Sequence, residues 1–135
     1  SVFNGLTAVN QEVVLIHDAA RCYLEKEDLE RLKKALKTHR AAILVQSSTD
    51  TMKQVDAKGH IIATIDRNTL KKAQTPQGFR FADIYAASRQ AAEDGFAATD
   101  DAQILEYYTD IKILCVEALH HNSKITTRDD IRGEK

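Results

Sequence analysis

The sequence contains no tryptophan, one proline and only two cysteines among its 135 residues. Cys22 and Cys115 are far apart and belong to no CxxC or Cys/His ligand pattern, so we expect reduced thiols, as in the cytosol. No apolar run is long enough to cross a bilayer. The 19 basic and 20 acidic side chains leave a formal net charge of −1, which argues against nucleic acid or a membrane surface as a partner.

What remains is the composition of an ordinary globular protein, with 43% hydrophobic and 29% charged residues. A chain of this length fits one small domain or part of a larger one. The chain begins with Ser1, and residues 2–9 already have the apolar spacing of a helix. This predicts that the chain is the C-terminal portion of a longer protein.

Two apolar runs, residues 13–17 and 42–46, are typical of strands that are covered on both faces. Between them, leucines recur at three- and four-residue spacing over residues 27–39, which predicts an amphipathic helix. A strand, helix and strand at this spacing predict a βαβ unit with parallel strands and a right-handed crossover.

Residues 51–56 and 61–66 flank Gly59 and predict a β-hairpin. Much of its surface is polar, so we expect it to project from the body of the domain.

The remaining elements predicted are a helix over 79–94 that ends at Gly95, a helix capped by Thr99, a strand over 111–116, and a last helix that begins near Thr127 and Asp130. Together these elements predict an α/β domain with a mostly parallel sheet and a hairpin insertion.

Asp18 and Arg21 follow the first predicted strand, and ligands of open α/β sheets bind beyond the carboxyl ends of the strands. A carboxylate there could hold Mg²⁺ or a substrate hydroxyl, and the arginine fork suits phosphate oxygens. A structural ion pair that fixes the loop is the alternative.

Other polar residues could join this site, although each also has an ordinary explanation. Thr51 follows the second strand and could be a turn residue, whereas Arg67 and Lys124 could be solvated surface cations. The acidic pair after Thr99 has metal potential, but a helix cap explains it fully. Taken together, these residues suit a phosphorylated polyol. No GxGxxG or Walker motif is present to hold a triphosphate.

Six segments carry a resemblance to a known family: VVLIHDAAR, DTMK, TIDRNTL, AQTPQGF, ATDDAQILE and NSKITT. In this order and at these spacings they resemble the 2-C-methyl-D-erythritol 4-phosphate cytidylyltransferases of the non-mevalonate isoprenoid pathway. Ribitol-5-phosphate cytidylyltransferases share the TPQ and KIT elements and are the alternative, but HDAAR and TIDR favour the methylerythritol enzymes.

The resemblance implies a Rossmann-like nucleotidyltransferase sheet with a projecting β-arm at about residues 50–75, all within a single domain of which residues 1–135 form the C-terminal portion. It further implies a homodimer joined through the arm, CTP and a polyol phosphate as substrates, Mg²⁺ as cofactor, and a cytoplasmic location in bacteria or a plastid location in a eukaryote. The implied reaction is CMP transfer with release of pyrophosphate.

Residue roles follow from the same resemblance. It implies catalytic roles for Asp18, Arg21 and Lys124, nucleotide contacts from Ser1, Asp18 and Arg21, polyol-phosphate contacts from Thr51, Thr75, Thr99 and, across the dimer, Arg67, and a metal contact from Asp18.

The chain also departs from the family pattern. Cys22 and Arg128 occupy positions where the family usually has proline, and a proline is also missing near Gln46. The family's glycine-rich loop for the triphosphate does not occur in these residues. We therefore expect the chain alone to be poorly active or inactive. A non-catalytic dimerisation or phosphate-binding module is the alternative from another class.

Overall fold

The computed structural model describes residues 13–18 and 24–119 of the chain. Its elements in chain order are β1 (Val13–Ile16), α1 (Lys26–Ala35), β2 (Ala41–Ser47), β3 (Met52–Val55), β4 (Ile61–Ile65), a 3-10 turn (Arg67–Thr69), β5 (Lys71–Arg80), α2 (Phe81–Asp94), α3 (Asp101–Tyr108) and β6 (Ile113–Glu117). The helices predicted at residues 2–9 and after Thr127 lie outside the described residues. No helix within the described ranges has the length and apolar character needed to cross a membrane.

The main sheet has four strands in the order β1-β5-β2-β6. β2 and β6 are parallel, whereas β5 runs antiparallel to both β1 and β2. The prediction that β1 and β2 run in the same direction is confirmed, but β5 lies between them. The prediction of a mostly parallel sheet is therefore wrong for the described strands, because residues 71–80 form a strand that was not predicted and that pairs antiparallel on both sides.

β2 contributes buried side chains to both faces of the sheet. Its alternate residues Ala41, Ile43 and Val45 pack in a core with α2 and α3, and the residues between them, Ala42 and Leu44, pack in a second core with α1. Successive side chains of a strand point to opposite faces, so a continuous apolar run is needed to serve both cores. The domain therefore has three layers, with the sheet in the middle.

The hairpin of β3 and β4 forms a separate two-stranded sheet, as predicted. Gly59 has φ +86° in the turn, a conformation that favours glycine. The adjacent side chains Ile61 and Ile62 are 63% and 60% exposed. Because neighbouring strand residues face opposite sides, both faces of the hairpin are open to solvent, and we refer to residues 52–65 as the arm.

Candidate active site

β5 departs from regular pairing where it passes the end of β1. Between two regular pairs, one β2 residue, Leu44, faces residues 74–76 of β5. Extra residues in one strand form a bulge, which bends the strand and redirects its side chains. On its other side, β5 pairs Gln77 with Ile16, the last residue of β1. The bulge therefore lies beside the carboxyl end of β1, where the sequence predicts a ligand site.

The hydroxyl of Thr75 joins this bulge to the end of β1. Thr75 Oγ1 accepts a hydrogen bond from the backbone N–H of Asp18 at 3.0 Å and lies 3.0 Å from Nδ1 of His17. Both partners directly follow β1, so the strand fixes their backbone. Two predicted site residues, Asp18 and Thr75, are thus neighbours in space although 57 positions separate them.

Gln77 joins the bulge to the start of α3. Its side chain is almost completely buried, and Nε2 donates to the carbonyl oxygen of Gln74 at 3.2 Å and to Oδ2 of Asp100 at 3.0 Å. Oε1 accepts from the backbone N–H of Ala102 at 3.0 Å. Both ends of the buried amide are therefore hydrogen-bonded, as burial of a polar group requires. The amide holds the start of α3 against β5.

The start of α3 differs from the sequence prediction, because the N-cap is Asp100 and not Thr99. Asp100 Oδ1 accepts from the backbone N–H of Gln103 at 2.9 Å. Gln103 Oε1 in turn accepts from the backbone N–H of Thr99 at 2.7 Å and from its hydroxyl at 3.0 Å. This is a capping box shifted by one residue, and a carboxylate caps a helix as well as a hydroxyl does.

These elements surround a cleft of about 480 Å³ between the end of β1, the bulge of β5 and the start of α3. Asp18, Thr75 and Thr99 all line it, so the structure brings three predicted site residues together. Gln74 lines it too. Its Nε2 donates to Gln46 Oε1 at 2.9 Å, and its buried Oε1 has no hydrogen-bond partner within the described ranges.

Carboxylates dominate the charge of the described wall of the cleft, which includes Asp18, Asp100 and Asp101. Burial raises the pKa of Asp101, and the negative charge of Asp100 raises it further. An acidic wall repels phosphate unless cations neutralise it. The two catalytic cations that the sequence predicts, Arg21 and Lys124, lie outside the described residues.

The other predicted residues lie away from the cleft or outside the described ranges. Thr51 and Arg67 are exposed at the base of the arm and do not line the cleft. Arg67 Nη1 donates to the carbonyl oxygen of Thr49 at 2.8 Å, which ties the end of the arm to the loop after β2. Ser1 is outside the described residues, as are the departures at Cys22 and Arg128.

The sequence predicts no site role for His17 or Gln77. His17 lies in the motif HDAAR and Gln77 lies in the motif TPQ. For Gln77, the glutamines on either side of Thr75-Pro76 were the sequence feature that could have indicated a role in the site. A buried glutamine must be hydrogen-bonded and so organises its surroundings. Spacing along the chain, however, does not reveal which glutamine is buried.

The comparison with known families identifies the family of the chain. A family model for IspD, 2-C-methyl-D-erythritol 4-phosphate cytidylyltransferase, matches residues 1–133. The chain belongs to this family. The matched region contains all of the described cleft, including Asp18, Thr75 and Thr99.

Relatives of known name agree with this family. The 2-C-methyl-D-erythritol 4-phosphate cytidylyltransferase of Prochlorococcus marinus is 42% identical over 137 residues, covering 100% of this chain and 61% of the relative. That of Synechococcus elongatus is 43% identical over 133 residues, covering 97% of this chain and 57% of the relative. The chain thus spans about three fifths of the length of these curated relatives.

Solved structures confirm the fold class, a Rossmann-like nucleotidyltransferase sheet with a projecting hairpin. A 4-diphosphocytidyl-2C-methyl-D-erythritol synthase from Anaerococcus prevotii has a TM-score of 0.93 and 34% identity, covering 98% of this chain and 60% of that chain. A 2-C-methyl-D-erythritol 4-phosphate cytidylyltransferase from Thermus thermophilus has a TM-score of 0.85 and 30% identity, covering 98% of this chain and 64% of that chain.

Proposed function

We propose that the protein containing this chain transfers CMP from CTP to 2-C-methyl-D-erythritol 4-phosphate. An oxygen of the 4-phosphate attacks the α-phosphorus of CTP, the bond from that phosphorus to the bridging oxygen breaks, and pyrophosphate leaves. No covalent enzyme intermediate is required, so the protein acts by positioning and charge neutralisation. The observation that carries the proposal is the family match over residues 1–133.

The cleft supports roles for three residues. Asp18 and Thr75 are held together by a hydrogen bond, and Thr99 lines the same cleft. A carboxylate and two hydroxyls of this kind can bind the hydroxyl and phosphate groups of a polyol phosphate. We assign catalytic roles to Asp18, Arg21 and Lys124, with the two cations neutralising the reacting phosphates.

The remaining roles belong to nucleotide and substrate binding. Ser1 is assigned to the nucleotide, and Thr51 to the polyol phosphate. Arg67, exposed at the base of the arm, is assigned to the phosphate in the partner subunit's cleft.

Mg²⁺ is part of the proposed reaction. Within residues 13–18 and 24–119, no cluster of three or more His, Cys, Asp or Glu side chains is suited to a metal. Mg²⁺ usually binds through one or two carboxylates together with substrate phosphates and waters, and not in a cage made only of protein ligands. Asp18 in a cleft fits that pattern and would hold the ion, which would neutralise phosphate charge.

The arm supports the proposal of a homodimer. Val55 is 53% exposed and lies on the strand paired with that of Ile61 and Ile62, both more than half exposed. An apolar patch on a projecting hairpin is typical of a surface that binds another protein. We also propose a cytoplasmic location, or a plastid location in a eukaryote.

The test is pyrophosphate release by the protein expressed from the complete reading frame that encodes this chain, with CTP and Mg²⁺. Methylerythritol phosphate and ribitol 5-phosphate are compared side by side. We expect a strong preference for methylerythritol phosphate, and its kcat/KM should fall at least tenfold in Thr75→Val, which keeps the shape of the side chain but loses its hydroxyl. A preference for ribitol 5-phosphate would show that the assigned polyol phosphate is wrong, but the type of reaction would stay the same. No release with either would favour the non-catalytic binding module.

A further inference from the structure

Resting on the proposed function, we propose that Glu117 is a positioning residue that fixes the direction of the arm. Glu117 is the last residue of β6, and its carboxylate is hydrogen-bonded to the two strands that the arm connects, β2 and β5. The direction of the arm in turn determines where Arg67, at its base, meets the phosphate in the cleft of the partner subunit.

Packing against the body of the domain gives the arm little support. Its two strands, β3 and β4, form a sheet of their own. All four side chains of β3 are exposed, and those of β4 are exposed or half-buried. The chain connects the arm to the body through residues 48–51 and 66–70. The direction of the arm therefore depends on how the strand ends beside these two connections are held.

Three strand ends meet at the carboxylate of Glu117. Ser47 ends β2 and pairs with Lys71, which begins β5, whereas β6 pairs with the other side of β2. Glu117 pairs with Val45, two residues before Ser47, so the side chains of these residues lie on the same face of the sheet. Glu117 Oε2 accepts from the backbone N–H of Ser47 at 2.8 Å. Oε1 accepts from the Ser47 hydroxyl and from Lys71 Nζ, each at 3.1 Å.

This arrangement requires a carboxylate, because every one of these partners donates. Lys71 Nζ also donates to the hydroxyl oxygen of Ser47 at 2.8 Å, and the hydroxyl passes its own proton to Glu117. An amide at this position would turn an NH₂ group toward one of the donors. Hydrogen bonds to an ionised acceptor are also stronger than those between neutral groups. A network of this kind holds its geometry better than an isolated surface ion pair does.

The backbone of Glu117 is attached to the body of the domain. A guanidinium nitrogen of Arg31, on α1, donates to the carbonyl oxygen of Glu117. The backbone N–H of the next residue, Ala118, donates to the carbonyl oxygen of Val45 at 2.8 Å. The carboxylate therefore reaches the base of the arm from a fixed point.

Arg67 is connected to the same base. Its Nη1 donates to the carbonyl oxygen of Thr49 at 2.8 Å, two residues after Ser47, and it precedes Lys71 by four residues. A displacement of either strand end therefore also moves the guanidinium of Arg67. Glu117 is not among the described residues that line the cleft, so it acts on the substrate through the arm.

The direction of the arm can be measured without any turnover. Nitroxide labels are attached to Lys33→Cys on α1 and Lys58→Cys in the turn of the arm, both exposed positions, with the other cysteines replaced by serine. The whole protein is mixed with an excess of unlabelled protein, so that a dimer contains one labelled subunit, and the distance between the labels is measured by pulsed electron paramagnetic resonance. We expect one narrow distance distribution in the wild type and a distribution about twice as broad, or shifted, in Glu117→Gln.

Asp83→Asn is the matched control. Asp83 forms an ion pair with Arg40 at 2.6 Å, away from the arm, and its side chain is 14% exposed compared with 41% for Glu117. A general loss of stability would therefore affect the control at least as much. We expect the wild-type distribution in Asp83→Asn. The wild-type distribution in Glu117→Gln, or equal broadening in both variants, would overturn the proposal whether or not CMP transfer takes place.

Kinetics test the consequence for the substrate. In Glu117→Gln we expect roughly a tenfold rise in KM for methylerythritol phosphate, with KM for CTP unchanged, because the partner's phosphate loses a well-placed cation. Ser47→Ala removes one of the bonds and should cause a smaller rise, of about threefold. In an Arg67→Ala background, Glu117→Gln should cause no further rise, because Glu117 acts through Arg67. Additive losses, or an equal rise in KM for both substrates, would contradict the proposal.

Discussion

Gln77 joins two sides of the cleft, the bulge of β5 and the start of α3. Its Nε2 is hydrogen-bonded to Asp100 and to the carbonyl of Gln74. Gln77→Glu replaces this donor by an oxygen and places a carboxylate against that of Asp100. We expect a loss of about 2–3 kcal/mol in the free energy of unfolding, measured with urea, because a buried bond is replaced by repulsion. The KM for the polyol phosphate should rise as well, since Thr75 and Thr99 are no longer held together.

Gln90 offers a matched control. It lies on the exposed side of α2, where its Nε2 donates to Asp94 Oδ1 at 3.1 Å. Gln90→Glu removes the same kind of bond and adds the same charge, but water can solvate both carboxylates. Its cost should remain below about 0.5 kcal/mol. Equal costs for the two variants would show that the burial of Gln77 has no special importance.

Asp101 should make stability depend on pH. Burial and the charge of Asp100 raise its native pKa above the ordinary value of 3.8. The ionised side chain therefore costs stability above the raised pKa, and this cost disappears as the pH falls to 3.8. We expect Asp101→Asn to be more stable than the wild type at neutral pH and equal to it in acid. Urea unfolding at several pH values measures the difference.

Glu117 provides a control of opposite sign. Burial raises its pKa, but hydrogen bonds from Lys71 and Ser47 outweigh this effect and hold the pKa below its ordinary value of 4.5. Its contribution to stability is therefore present above pH 4.5 and is lost as the pH falls through the lower native pKa. Glu117→Gln should be less stable than the wild type at neutral pH, and the difference should shrink in acid. The same sign for both variants would contradict these assignments.

At the scale of elements, β5 shows where sequence patterns fail. β1, β2 and β6 were predictable because their apolar runs serve cores on both faces of the sheet. β5, with the sequence KKAQTPQGFR, has no such run and contains a proline and a glycine, which normally argue against a central strand. The bulge at residues 74–76 removes Pro76 from regular pairing with β2, so the usual objection does not apply.

The glycine of β5 is required by close packing. A Cβ at Gly78 would overlap Cδ1 of Leu36, near the end of α1, and would lie 3.0 Å from Cδ2 of Leu15. We therefore expect Gly78→Ala to destabilise the protein by about 1–3 kcal/mol through overpacking, measured by urea unfolding.

A smaller neighbour should relieve this overpacking. In a Leu36→Ala background, space is available for the new methyl group, so Gly78→Ala should cost clearly less than in the wild type. An unchanged cost in both backgrounds would indicate that backbone conformation, and not contact with Leu36, requires the glycine.

At the scale of the whole molecule, the layers were predictable but the order of strands was not. Amphipathic helices and doubly buried strands predict an α/β domain. No local sequence pattern indicates that residues 71–80 form a strand between β1 and β2. The position of the cleft could not be predicted for the same reason, because Asp18 and Thr75 come together only where β5 lies beside β1. The resemblance gave both residues a role, whereas local patterns gave a role to Asp18 alone.

The arm should determine the oligomeric state of the whole protein. Replacing Ile61 and Ile62 together by lysine puts two charges on an exposed apolar surface without disturbing either core. If the arm joins two subunits, burial of these charges should weaken the dimer by at least about 2 kcal/mol, or roughly thirtyfold in Kd. Sedimentation velocity over a range of concentrations measures this change.

Tyr107→Lys is the control, because Tyr107 is 67% exposed on α3, outside the arm, and its replacement should leave the dimer intact. A wild-type protein that is monomeric at micromolar concentration, or a lysine variant that dimerises as the wild type does, would exclude the arm as the dimer interface.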